Sequence, residues 1–287
     1  MDESLSDWLA VREPADLTAR SATLVERVRH ALASTDTVRG LDLCTGTGSN
    51  LRYLIDRLPG RQTWLAADRD AGLLEELPTK LKTWADAHGY SMRTEGQVSS
   101  LRGGRCECDV ETRAMDLDRL DAGLFEGRNL VTASALLDLV SESWLRLLAA
   151  RCREAGAIAL FTLTYDGRSS CDPVEPEDDF VRELMNVHQK TDKGLGGSAA
   201  GPDAAFCVAR CFADSDYRVW TEPSDWVLGS PEHELQRRLI DGWARAATEL
   251  APENASGIAQ WHARRIGHVD AGRSRIVVGH FDVAATL

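Results

Sequence analysis

Apolar positions along this chain alternate between two rhythms. Short unbroken runs occur at 38–43 (VRGLDL), 63–68 (TWLAAD), 129–133 (NLVTA) and 157–165 (AIALFTLTY). Between them lie longer segments whose apolar residues recur every three or four positions, the spacing of one helix face. The runs predict strands. The segments predict helices over about 48–58, 70–88 and 141–156, closed by Pro59-Gly60 after the first and by Gly156 after the last. CDVETRAMDL (108–117) predicts a further strand despite its charges, and polar, glycine-containing Ser91–Arg105 is expected to be a loop. At the N-terminus residues 3–33 read as helical, with Leu17, Leu24, Val25, Val28 and Leu32 on one face. Pro14 interrupts that pattern, so a short separate helix is expected around Trp8.

The last third reads differently. An acidic, proline-bearing stretch at Asp172–Asp179 leads into a predicted helix over 176–190 and a flexible glycine loop at Gly194–Gly201. A helix from Pro202 to about 213, a strand at 217–223, a helix at 231–250 and a strand at Ser274–Ala284 follow. Regular strand–helix alternation up to residue 165 implies an α/β fold with a doubly wound, mostly parallel sheet. In such sheets a ligand sits outside the carboxyl ends of the strands, where strand order reverses.

Composition narrows the partners. The chain has 287 residues, 43% hydrophobic and 27% charged, ordinary values for a globular protein. Its formal net charge of -12 repels phosphate backbones, so no nucleic acid is expected. No apolar stretch reaches the length of a membrane span, and MDESLSDWLAVREPADLTAR does not read as a signal peptide. The seven scattered cysteines suit free thiols, so a cytoplasmic protein with no membrane partner is expected. Nothing here predicts an oligomeric state.

The richest chemistry lies in Val38–Leu54. A strand ends near Asp42, a turn carries Gly46 and Gly48, and a helix begins, its free N–H groups pointing into the same space. The turn, C-T-G-T-G-S-N, lacks the third glycine of the dinucleotide fingerprint. It resembles instead the first motif of the class I S-adenosylmethionine (SAM)-dependent methyltransferases, an acidic residue followed by G-x-G-x-G. Asp42 stands in the acidic place and Cys44, Gly46 and Gly48 in the three glycine places, Cys44 being a departure. The likeness continues in order over about 38–165. Asp68 ends the second strand, where the family binds both ribose hydroxyls, with Arg69 near the adenine. Asp116 stands where the family takes the adenine amino group, with Leu117 beside the ring, and NLVTASALLDLVS matches the segment facing the methyl group.

The resemblance implies a Rossmann-like, seven-stranded sheet with a reversed last strand. It also implies N-terminal helices (1–35) as a lid and a SAM-binding domain (36–287) with helical substrate-site insertions at about 166–215 and 224–272. SAM would be the cofactor, held by Asp42, Cys44, Gly46, Gly48, Asp68, Arg69, Asp116, Leu117 and Ser134, with Arg20 (Arg12 second) for its carboxylate. No metal is expected. Cys207 and Cys211 lie a helical turn apart and His262 or His268 could complete a metal site with them, but their spacing matches no strong zinc pattern. The acceptor is expected to be a small molecule, because TASALLD lacks the Asp/Asn-Pro-Pro-aromatic signature of base amine methylation. His188 and Asp138 are the candidate acid–base groups.

Plainer roles compete with these. Asp42 can cap its turn and Asp68 the next helix. Asp138 can cap the helix near Ser141, His188 can be a surface residue, and the tryptophans after residue 220 can be core rather than pocket wall. An NAD-dependent oxidoreductase also suits Asp68, and a catalytically inactive SAM-fold binding protein suits Cys44.

Overall fold

A computed structural model describes residues 4–118 and 120–287; the start of the expected helix at residue 3 lies outside them. Helices α1 (Leu5–Ala19) and α2 (Ala22–Ala31) precede β1 (Thr37–Leu43), α3 (Ser49–Ile55), β2 (Arg61–Asp68) and α4 (Ala71–Ala87). Next come β3 (Tyr90–Glu95), β4 (Val98–Gly103), β5 (Glu107–Ala114), α5 (Ala122–Phe125), β6 (Leu130–Ser134) and α6 (Glu142–Ala155). The chain closes with β7 (Ile158–Asp172), α7 (Asp178–Gln189), α8 (Ala204–Ala213), β8 (Arg218–Pro223), β9 (Trp226–Leu228), α9 (His233–Leu250), α10 (Ala255–Asp270) and β10 (Arg275–Thr286).

The strands form one ten-stranded sheet, ordered β3-β4-β5-β2-β1-β6-β7-β10-β8, with β9 also paired to β10. From β5 to β7 every pairing is parallel, and β10 runs antiparallel to both β7 and β8. Seven strands, β5-β2-β1-β6-β7-β10-β8, therefore make the expected sheet with its reversed strand; β3, β4 and β9 extend it. Strand order turns back between β1 and β6, so their carboxyl ends diverge there and leave a crevice. Alternate residues feed opposite cores: Leu65 and Ala67 face one, Trp64 and Ala66 the other. A third core lies under α1, α7, α9 and α10, around Trp226, Trp243 and Trp261. Among the described residues no helix is long and apolar enough to cross a membrane.

Several expectations change. Ser91–Arg105 is not a loop: β3 and β4 form an antiparallel hairpin turning at Gly96-Gln97, with β4 on β5. This edge hairpin buries only one side, so it carries no apolar run to mark it. Pro14 does not break α1, which runs through it and ends instead at Arg20, extended at ψ 136. Strand β7 continues to Asp172, seven residues past its apolar run, because β10 pairs with it along its length. Helix α10 and strand β9 had no sequence signal read for them. The glycine loop is pinned by a bridge between Asp192 and Ser198 and buries Leu195 in the first core.

Candidate functional site: a cavity at the switch point

The crevice between β1 and β6 opens into a cavity of about 270 Å³. Three sheet segments line it: Asp42–Gly46 with Ser49 and Asn50, Asp68–Asp70, and Ser134–Leu136. Helix α1 roofs it with Leu5, Leu9, Arg12, Asp16 and Arg20, spaced four, three, four and four apart and so on one face. Of the residues expected to hold a cofactor, Arg20, Asp42, Cys44, Gly46, Asp68, Arg69, Leu117 and Ser134 share this cavity. Gly48 starts α3 behind it at φ 81. Asp116 is exposed and outside it, its carboxylate accepting the N–H of Asp118 in its own turn.

The turn after β1 needs three left-handed residues in five: Cys44 (φ 51), Gly46 (φ 55) and Gly48 (φ 81). Cys44 therefore holds a glycine's backbone without being one, at a conformational cost of roughly 1–2 kcal/mol. A side chain at Gly46 would also run into Leu9 of α1, 2.9 Å from where its Cβ would lie. Burial first, then the carboxylates of Asp68 and Asp42, push the Cys44 thiol up to about 12. It stays protonated and is no nucleophile.

Asp42 is 1% exposed and accepts from Thr45 Oγ1 (2.6 Å), Thr132 Oγ1 (2.6 Å) and Asn50 Nδ2 (2.7 Å). Burial raises its pKa, and these three donors oppose that rise. With its amide nitrogen committed to Asp42, Asn50 turns its Oδ1 free; that oxygen and Ser49 Oγ are buried without a partner among the described residues. Two orphaned polar atoms in one cavity lining call for a ligand with donors. Sequence reasoning passed over both, although they stand in the G-S-N that ends the glycine turn.

Asp68 does not cap α4; Asp70 does, accepting the N–H groups of Gly72 and Leu73. Asp68 accepts instead from Gly46 N (2.8 Å) and Asp70 N (3.0 Å), locking the ends of β1 and β2 together. Each of its oxygens retains a lone pair for a hydroxyl donor.

Arg20 is 5% exposed. It donates to Ser134 Oγ (3.1 Å) and Thr162 Oγ1 (3.4 Å), and its guanidinium lies 4.9 Å above the Tyr53 ring. No carboxylate among the described residues forms an ion pair with it. Burial lowers its pKa, but an arginine still keeps its charge. Arg12, by contrast, is spent on Asp16 (3.0 Å) and on the Trp226 ring.

The two acid–base candidates lie elsewhere. Asp138 sits in a 3-10 turn, buried under the cavity floor; Leu136 and Leu139 line the cavity and it does not. It caps nothing: Ser141 Oγ caps α6. Burial pushes the Asp138 carboxyl up to about 6, against the pull of the Tyr165 N–H, Arg12 and Lys193. His188 lines a separate cleft of about 630 Å³ between α1, α7 and α9, with its Nε2 3.4 Å from Glu249 and its Nδ1 3.5 Å from Lys193 Nζ. Leu5 borders both spaces. The cysteine–histidine group is not assembled: Cys207 and Cys211 are on α8, while His262 and His268 on α10 bind Asp241 (2.6 Å) and Glu175 (2.7 Å).

No protein-family model and no curated protein matches this sequence. Among solved structures, the cyclopropane synthase MmaA2 from Mycobacterium tuberculosis is similar over 99% of this chain and 95% of its own, at 13% identity and a TM-score of 0.49. A SAM-dependent methyltransferase from Geobacter sulfurreducens, in complex with S-adenosyl-L-homocysteine (SAH), covers 99% of both chains at 14% identity and a TM-score of 0.45. A geranyl diphosphate methyltransferase in complex with GPP and sinefungin covers 93% of this chain and 77% of its own, at 14% and 0.43. These likenesses are loose, and the fold is read from the strand order itself: a Rossmann-like α/β fold whose mostly parallel sheet carries a reversed strand, β10.

Proposed function

We propose that the chain is an enzyme that binds SAM in the switch-point cavity and transfers its methyl group to a small molecule. One observation carries the reading. A buried, unpaired guanidinium (Arg20) shares a cavity with an orphaned carbonyl (Asn50 Oδ1) beside Asp42, and with a carboxylate at the end of β2 (Asp68). That set matches the carboxylate, ammonium and ribose diol of one zwitterionic nucleoside. Phosphate recognition asks for the opposite, since the turn presents Asp42 and Asp68 rather than a lysine.

Bound SAM would supply a methyl group on a sulfonium sulfur, already activated for in-line displacement. The chain's own part is to bind, align and keep water out. Arg20 with Ser134 would hold the carboxylate, Asn50 and Asp42 the ammonium, and Asp68 the ribose. Leu117, Leu136, Leu139 and Leu195 exclude solvent around them. In the neighbouring cleft His188 can take a proton from an acceptor, with Glu249 steadying the charged ring.

Calorimetry and thermal unfolding test this. SAH at about 100 times its Kd should stabilise the chain by about 2.7 kcal/mol, and NAD should not. Arg20→Ala should weaken SAH binding by roughly tenfold to a hundredfold, the loss of a charge-assisted hydrogen bond. An unchanged SAH affinity in that variant, or stabilisation by NAD in place of SAH, would sink the proposal.

A further inference from the structure

The cleft holding His188 carries chemistry of its own. Its apolar lining is Trp8 from α1, Met185 from α7, and Leu239 and Trp243 from α9, beside the polar Gln189 and Arg238. Near it stands Arg245, exposed, with no ion pair among the described residues. Glu249, the one carboxylate lining the cleft among the described residues, is turned to His188. Gly242 leaves open space where a side chain would stand, in a helix interior where alanine would be the better former. At about 630 Å³ the cleft is of the size that encloses a drug-sized ligand.

Two elements join this cleft to the switch-point cavity. Helix α1 turns Leu9, Arg12 and Arg20 to the cavity, Ser4 and Trp8 to the cleft, and Leu5 to both. The segment after α7 likewise places His188 in the cleft and Leu195 in the cavity. The two hollows are therefore neighbours, with Leu5 on the border of both.

We infer that the cleft is the acceptor site, and that the acceptor has a planar apolar body and an anionic group. Resting on the methyl-transfer reading, this assigns the rings of Trp8 and Trp243 to the flat body, by stacking. It assigns Arg245 to the anion, a carboxylate or phosphate. His188 lines the same space, its ring nitrogens turned to Glu249 and Lys193.

The test uses 2-naphthoate as probe and 2-naphthamide as its uncharged counterpart, read by quenching of tryptophan fluorescence and by calorimetry. The wild-type chain should bind 2-naphthoate saturably and at least tenfold more tightly than the amide. Arg245→Ala should erase that preference, and Gly242→Leu should weaken both probes at least tenfold by filling the floor. Both positions have open surroundings, so SAH binding should persist in both variants and shows that they fold. Failure of 2-naphthoate to bind overturns the proposal. So does a charge preference that survives Arg245→Ala, or undiminished probe binding in Gly242→Leu. Absence of SAH binding in the wild type would refute the methyl-transfer reading instead, and the naphthoate result would still decide whether the cleft takes anions.

Discussion

The two hollows are made from different material. The switch-point cavity is cut from strand ends and tight turns: its polar groups come from 42–50, 68–70 and 134–136, each a stretch of a few residues. The cleft is a meeting of helix faces, drawn from 4–8, 185–189 and 238–249. In the first, backbone N–H groups and short side chains are fixed by sheet register, as when Asp68 takes the Gly46 N–H. In the second, position depends on how α7, α9 and α10 pack on the long β7–β10 ribbon. A site of the first kind is set by local geometry and tolerates little change. A site of the second kind can be reshaped by sliding helices.

The largest expected effect separates the two. Arg265 of α10 is fully buried and binds Asp178 at the start of α7 through Nε (2.9 Å) and Nη2, as well as the Pro173 carbonyl (2.6 Å). Trp261 Nε1 donates to the same carboxylate at 2.8 Å. Arg265→Met leaves Asp178 without its counter-charge and should cost about 3–5 kcal/mol in urea unfolding. If the hollows are independent, the surviving folded protein should bind SAH within about threefold of the wild type. A parallel collapse of SAH affinity would show that they are one unit.

A smaller effect is expected at Asp138, beneath the boundary. Its carboxyl is pushed from 3.8 to about 6 by burial, so the folded state holds its proton more tightly than the unfolded chain. Between those values the folded state binds more protons, and stability falls as pH rises from about 4 to about 6, then levels. Two pK units amount to about 3 kcal/mol. Asp138→Asn removes this component, so its stability relative to wild type should improve steadily over that window in urea titrations at pH 4, 5, 6 and 7. A difference that stays flat with pH would mean that Asp138 is not the buried acid described.

The smallest effect tests how strictly the turn is fixed. Cys44→Gly relieves the left-handed strain but adds unfolded-chain freedom worth roughly 0.5–1 kcal/mol. Stability should change by less than about 1 kcal/mol, and SAH affinity by less than about threefold. A tenfold loss in calorimetry would mean that the thiol itself touches the ligand.

The same contrast explains what the sequence disclosed. Asp42, Gly46 and Asp68 were legible because strand, turn and helix follow one another locally, and a turn needing positive φ announces itself through glycine. Cys44 stands at a φ of 51, a backbone that favours glycine, which is why a cysteine there departs from the motif. Asn50 and Ser49 were missed because what marks them is leftover hydrogen-bonding capacity, which a motif does not encode. Asp116 fits the motif by spacing, yet its carboxylate closes its own turn. The β3–β4 hairpin hid because an edge pair with one wet face has no apolar run. The cleft was not legible as a site at all, since Trp8, Met185 and Trp243 meet only after three distant helices pack.

Helix α1 is tied down by Glu13 to Arg52 (2.7 Å) and by Asp16 to the Trp226 indole (3.1 Å). It supplies wall to both hollows, so it cannot lift from one without unsealing the other. On the methyl-transfer proposal, cofactor and acceptor would therefore share one door.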